Sequence, residues 1–339
     1  MTITVTYINN DINEYAITNN EISNNHLVCI IDFSYNDLTS LPGICANMNF
    51  PNLLEFNCSS NQLTLLPTNM NFPNLKILSC YNNKLKSLPT FDTNNLPNLE
   101  EYCCSVNKLT SLPNMNFPYL QIFSCNNNKL KSLPTFGTNN LPNLKEFNCH
   151  NNQLISLPDN IDFPNLQTFN CHNNQLISLP DNIDFPNLKE FDCHMNQLIL
   201  LPDNMNLPNL QIFRCYSNSL TSLPENMNFP NLQELDCHYN QLTSLPKYMN
   251  LPNLQTFKCY NNELISLPDN MNFPNLRKFK CQNNFITSFP VCILNFKNLN
   301  LFTYNNNRIE MSLQIARFIK RMKTSSNKKP NVYTKSTIE

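Results

Sequence analysis

The feature that most limits how this chain can fold is a short repeat that runs along nearly all of it. The segment Leu166-Gln-Thr-Phe-Asn-Cys-His-Asn-Asn174-Gln-Leu176, moved by 22 residues, lands on Leu188-Lys-Glu-Phe-Asp-Cys-His-Met-Asn196-Gln-Leu198. An asparagine holds this phase thirteen times, at 36, 61, 83, 107, 128, 152, 174, 196, 218, 240, 262, 284 and 307. The spacing is 22 through the middle and 21 to 25 elsewhere. A unit this small cannot enclose its own apolar side chains, so each must stack on its neighbours.

Within the unit, Phe-x-Cys alternates apolar and variable positions, the period of a short strand with one buried face. All but one of the 24 prolines fall at two phases, twelve in the Leu-Pro step (Pro42 through Pro290, the last after Phe289) and eleven in the turn before the next leucine (Pro51 through Pro274). None interrupts the strand, where a missing N–H would break the ladder. The Asn-rich segment between strands has no room for a long helix, so 3₁₀ or extended turns are expected there. Strands about 4.8 Å apart, backed by bulky Phe and Pro, predict a stack bent into an arc. The turn phenylalanines (Phe72, Phe163, Phe185, Phe229 and Phe273) and the strand phenylalanines (Phe169, Phe191 and Phe213) are expected to form two continuous rows in the core.

These residues resemble the leucine-rich-repeat family, whose core pattern is L-x-x-L-x-L-x-x-N-x-L, with Phe and Cys here at the second and third apolar positions. The resemblance covers 27 to about 310. It implies an α/β-type solenoid, a horseshoe with a parallel sheet on its concave face and short turns on its convex face. The Leu-Pro-containing 22-residue unit with heavy Asn usage looks like the repeat proteins of giant amoebal DNA viruses, and in part like bacterial LPX-type effectors. The expected organisation is an N-terminal cap over 1–26, thirteen repeats over 27–310, a capping helix over 311–323 and a basic disordered tail over 324–339. In the helical segment Leu313, Ile315, Phe318, Ile319 and Met322 recur at mostly helical spacing.

Composition narrows the function. Only two glycines, Gly43 and Gly137, are present, which argues against a nucleotide fold built on glycine turns. Net charge is -1, so the whole chain has no electrostatic claim on nucleic acid or a membrane. The start, Met1 to Tyr7, has neither the basic run nor the apolar core of a secretory signal. The expectation is a cytoplasmic protein (host cytoplasm if viral), not secreted, with its fifteen cysteines reduced.

Eleven of those cysteines share one inward phase, from Cys58 and Cys80 to Cys259 and Cys281. They read as small core hydrophobes, not a metal stack or redox chain. The recurring asparagine reads as a structural group satisfying loop backbone. His150, His172, His194 and His238 share an outward phase that Tyr81, Tyr216 and Tyr260 fill elsewhere. Stacked imidazoles beside Asp192 could clamp a divalent metal, but duplication copies residues whether or not they are used, and no metal or other cofactor is assigned. A Cys149–His150 dyad fails because adjacent strand residues point to opposite faces. No nucleophile elbow, Walker loop or zinc motif occurs, so no catalytic residue is assigned.

The exposed sheet positions carry Glu146, Glu190, Asp192, Glu234 and Asp236, then Arg214, Lys258, Lys278 and Lys280 towards the C-terminal end, with Tyr216, Tyr239 and Tyr260 among them. An acidic centre beside a basic, tyrosine-bearing end would orient a partner of mixed charge. The expected partner-binding set is His150, His172, Glu190, Asp192, His194, Arg214, Tyr216, Asp236, His238, Lys258, Tyr260 and Lys280. The expected role is a non-catalytic, monomeric scaffold or adaptor that holds a protein on the concave face. Two alternatives are a structural, particle-associated component and a nucleic-acid binder acting through the basic tail.

Overall fold

The typical coil starts at a leucine, passes through a three-residue strand, turns at the recurring asparagine and returns through Leu-Pro to the next leucine. The computed structural model describes residues 3–8, 11–12, 28–41, 50–91, 95–136, 140–159 and 161–325, and side chains from 28 to 322. Most of the expected N-terminal cap and nearly all of the basic tail lie outside the described residues. The chain divides into two compact units, Met1–Gln175 and Leu176–Glu339.

In the first unit, β1 (Ile3–Ile8) pairs antiparallel with β2 (Asp11–Ile12) and parallel with β3 (Val28–Asp32). Six more strands follow in chain order: β4 (Glu55–Asn57), β5 (Ile77–Ser79), β6 (Glu101–Cys103), β7 (Ile122–Ser124), β8 (Glu146–Asn148) and β9 (Thr168–Asn170). Each pairs in parallel with the last, Phe56 opposite Leu78, Leu78 opposite Tyr102, and Phe147 opposite Phe169. The central residue of each three-residue strand is buried, and its neighbours face outward.

The second unit repeats this plan with β10 (Asn182–Asp184), β11 (Glu190–Asp192), β12 (Asn204–Asn206), β13 (Ile212–Arg214), β14 (Glu234–Asp236), β15 (Tyr248–Asn250), β16 (Thr256–Lys258), β17 (Asn270–Asn272), β18 (Lys278–Lys280) and β19 (Leu301–Thr303). The parallel sheet runs β11, β13, β14, β16, β18, β19. The return segments are extended enough to pair on their own, β10 with β12 and β15 with β17. One return segment, Val291–Asn295, is 3₁₀. Helix α1 (Leu313–Ser325) follows, with the Ser312 hydroxyl near the Ile315 N–H at 3.4 Å and Ile315 and Ile319 buried on one face.

The recurring asparagine holds the coils together. The Leu154 N–H donates to the Asn174 Oδ1 at 3.0 Å, while the Asn174 Nδ2 donates to the carbonyls of Cys149 (3.2 Å) and Cys171 (3.0 Å). Asn240 does the same with Leu220, Cys215 and Cys237. One carboxamide thus satisfies backbone groups of two coils at once. A second asparagine set recurs one residue after the turn proline. In the Pro-Asn-Leu turn, Nδ2 of Asn74, Asn98, Asn143 and Asn165 donates to the proline carbonyl of the preceding coil, at 2.7 to 2.9 Å. Asn209, Asn231, Asn253 and Asn275 repeat this in the second unit.

The residue before each recurring asparagine is left-handed, with φ between 50° and 59°. Asn82, Asn127, Asn151, Asn173, Asn261, Asn283 and Asn306 take this conformation at low cost. Val106, β-branched and at φ 56°, takes it against its own preference.

The core is built of phenylalanine, leucine and cysteine, but its aromatic rows are interrupted. Phe123, Phe147 and Phe169 stack at 5.5 to 5.6 Å, as do Phe257, Phe279 and Phe302 at 5.3 to 5.4 Å. Leu78 and Leu235 occupy the same strand position, and Leu207 and Leu251 the turn position. Continuous rows were the sequence expectation. Leucine breaks them because the site requires apolar volume, not a ring. The eleven in-phase cysteines are fully buried, and the fourteen described cysteines form no disulfide. Burial pushes the Cys149 and Cys259 thiols far above their ordinary range.

Among the described residues, the Tyr102 hydroxyl, buried in β6, has no hydrogen-bond partner. Its ring occupies the strand position filled by Leu78 in the coil before and by Phe123 in the coil after, 5.8 Å from the ring of Phe123. Tyr102→Phe should therefore raise stability by about 1 kcal/mol or more, since it removes the cost of the lone hydroxyl and keeps the ring. Asn174→Ala should lower stability by about 1–3 kcal/mol, because it strands the Leu154 N–H and two carbonyls. Urea unfolding of the full chain would check both; a neutral Asn174→Ala or a destabilising Tyr102→Phe would contradict this account.

Candidate partner-binding face

Because side chains alternate along each strand, the outward residues of the second unit fall into three columns. The first holds Glu190, Ile212, Glu234, Thr256 and Lys278; the second, two residues on, holds Asp192, Arg214, Asp236, Lys258 and Lys280. The third, just past the strands, holds His194, Tyr216, His238 and Tyr260.

The third column is a stack of rings. His194 lies on Tyr216 at 4.2 Å, Tyr216 on His238 at 4.4 Å and His238 on Tyr260 at 4.3 Å, all within 15° of parallel. Strand spacing sets this separation, so the ladder follows from placing flat side chains at one phase. Tyr239 is mostly exposed and meets Tyr260 edge-on at 5.9 Å. In the first unit, His150 and His172 stack likewise at 4.4 Å.

The first two columns form ion pairs from coil to coil. Arg214 bonds Glu190 and lies 3.6 Å from Asp192. Lys258 reaches Glu234 and Asp236, each at 2.8 Å. The Nδ1 atoms of His194 and His238 donate to Asp192 and Asp236 respectively. Both aspartates are buried, 6% and 3% exposed, so their carboxylates brace the histidines and cations and are covered from above. Burial alone would push the Asp236 carboxyl up, but the bonds from His238 and Lys258 outweigh it and hold it below its ordinary value. Burial would likewise depress Lys258, and the same carboxylates outweigh it and raise the ammonium. Burial raises the Tyr216 and Tyr260 phenols.

The structure thus gathers Glu190, Asp192, His194, Arg214, Tyr216, Asp236, His238, Lys258, Tyr260 and Lys280 on one sheet of the second unit, and His150 and His172 on the sheet of the first. The expected acidic centre is not an exposed acidic patch. Its members Glu190, Asp192, Glu234 and Asp236 are engaged by Arg214 and Lys258, which lie one coil further on, whereas Glu146 lies on β8 of the first unit and is not among them. Opposite charges at one phase, 22 to 24 residues apart, were the available signal.

A family described as "Leucine Rich repeats (2 copies)" matches residues 230–272. No curated protein matches the chain in sequence. Among solved structures, a leucine-rich-repeat protein of Leptospira interrogans is similar over 94% of this chain and 99% of its own, at 24% identity and a TM-score of 0.63. YopM, a leucine-rich effector protein from Yersinia pestis, is 28% identical over 85% of this chain and 83% of its own, with a TM-score of 0.62. The functional domain of InlJ from Listeria monocytogenes, which includes a cysteine ladder, is 26% identical over 70% of this chain and 50% of that one, with a TM-score of 0.55. The stacked coils, the parallel sheet and these likenesses agree: the fold is that of leucine-rich-repeat proteins, and residues 230–272 match the family's repeat. Among the described residues no helix is long and apolar enough to cross a membrane.

The lowered Asp236 gives a pH prediction. Its folded value lies below the unfolded one of about 3.9, so its contribution is complete above that value and is lost as pH falls through the folded value. Asp236→Asn, which leaves Lys258 and His238 underpaired, should cost about 1–3 kcal/mol at neutral pH. The gap in melting temperature between the two proteins should close as the pH is taken below about 4; a gap independent of pH would contradict the assignment.

Proposed function

We propose that this chain is a non-catalytic scaffold that binds a partner protein across the exposed face of its sheet. The observation that carries this reading is the ordered face of the second unit. Its rings are stacked, its aspartates are anchored, and its cations are fixed by ion pairs. Such groups lose little side-chain freedom on binding, which is the cost that most weakens association through long surface side chains. The residue types fit as well, since Tyr and Arg dominate interface energetics and His238, Tyr239 and Tyr260 form one contiguous aromatic group. A protein partner is what other leucine-rich-repeat proteins commonly hold. The cytoplasm remains the proposed location.

A photo-crosslinking residue placed at Ile212, outward in β13, is expected to capture a partner from cell extract. The same residue at Asn204, in the return segment β12, should not. Equal labelling from both positions, or none from Ile212, would overturn the reading.

A further inference from the structure

On the sheet face of the second unit, ion pairing stops at β18. Two cations of the second column use carboxylates of an earlier coil, Arg214 those of β11 and Lys258 those of β14. Lys278 and Lys280 follow Thr256 and Lys258 in register and precede Leu301 and Thr303. No acid lies on either neighbouring strand, and among the described residues neither lysine has an ion pair. Lys280 even faces Lys258, a like-charge pairing that disfavours the sheet. Arg277, on the rim beside Lys278, is likewise without an ion pair among the described residues. From Arg277 to Ser325 the chain has nine Lys and Arg residues against one acid, Glu310, whereas the whole chain carries -1.

We infer that this end of the sheet binds an acidic segment of the partner protein, whose carboxylates supply the charges that β18 lacks. This rests on the scaffold reading and specifies its partner. The charge pattern selects a short acidic segment over a nucleic acid. A phosphate backbone tracking along the sheet would meet Glu234, Asp236 and Glu190 within two to four coils, where the cations are already used. An acidic peptide need only lie across β18, with Tyr260 one coil back as an aromatic contact. Beside it, Gln211, Gln233, Gln255 and Arg277 line a groove of ≈ 350 Å³ whose carboxamides can pair with the N–H and C=O groups of a peptide backbone alike.

The test uses the full chain and two fluorescent probes of equal charge. One is a glutamate-rich peptide of about ten residues containing one tyrosine, the other a single-stranded oligonucleotide. The peptide should bind, and the K278E/K280E variant should weaken it about tenfold, with affinity falling as salt rises. K129E/K131E, a charge reversal in the first unit, should leave binding unchanged. Because Lys280 opposes Lys258, K280E should not lower the melting temperature, which separates lost binding from lost folding. Failure of the peptide to bind, equal binding by K278E/K280E, or stronger binding of the oligonucleotide would overturn the inference. If Ile212 still captures a partner in that event, the scaffold reading stands and only the acidic character of the partner is lost. If Ile212 captures nothing, the scaffold reading falls too.

Discussion

Stacking coils of 22 residues poses one recurring problem: at the end of every strand, backbone donors and acceptors turn away from the ladder while staying out of water. The carboxamide at Asn174 and its equivalents answers it, taking an N–H from one coil and giving two N–H groups to carbonyls of two coils. No other neutral side chain of that length has both a two-proton donor and an acceptor. With those groups satisfied, the interior can be apolar, and Phe, Leu and Cys need only match in volume. That tolerance is why Leu78 and Leu235 can sit among phenylalanines, and why the buried hydroxyl of Tyr102, with nothing to bond, is out of place there.

The scarcity of glycine and the abundance of asparagine have one cause. Thirteen turns need a left-handed residue, and here asparagine most often provides what glycine could, because its short polar side chain tolerates positive φ. A third asparagine per coil ties the Pro-Asn turn to the coil before it. The same residue type therefore serves three geometrically distinct tasks in one repeat. Val106, Met195 and Tyr239 occupy the left-handed position without that aptitude, so the neighbouring bonds must hold them there.

A parallel, in-register sheet also turns sequence phase into columns of like position. Flat residues at one phase become a ring stack, and opposite charges one repeat apart become ion pairs. In the second unit the charges of the exposed face are thereby spent through β16, which leaves unbalanced positive charge at β18.

Much of this was legible beforehand. Thirteen asparagines in phase, prolines kept out of the strand, and Phe-x-Cys alternation determined the coil, the strand and the buried sulfur, since period and chain stereochemistry leave no other arrangement. The outward phase of His194, Tyr216, Asp236 and Lys258 was equally readable. Which outward charges remain available was not. Asp236 and Lys258 lie 22 residues apart, and only the stacking of one coil on the next brings their charged atoms to 2.8 Å. Sequence determined which residues face outward, because alternation is local. Tertiary structure decided which of them are already engaged, because a charge is neutralised by its neighbour in space.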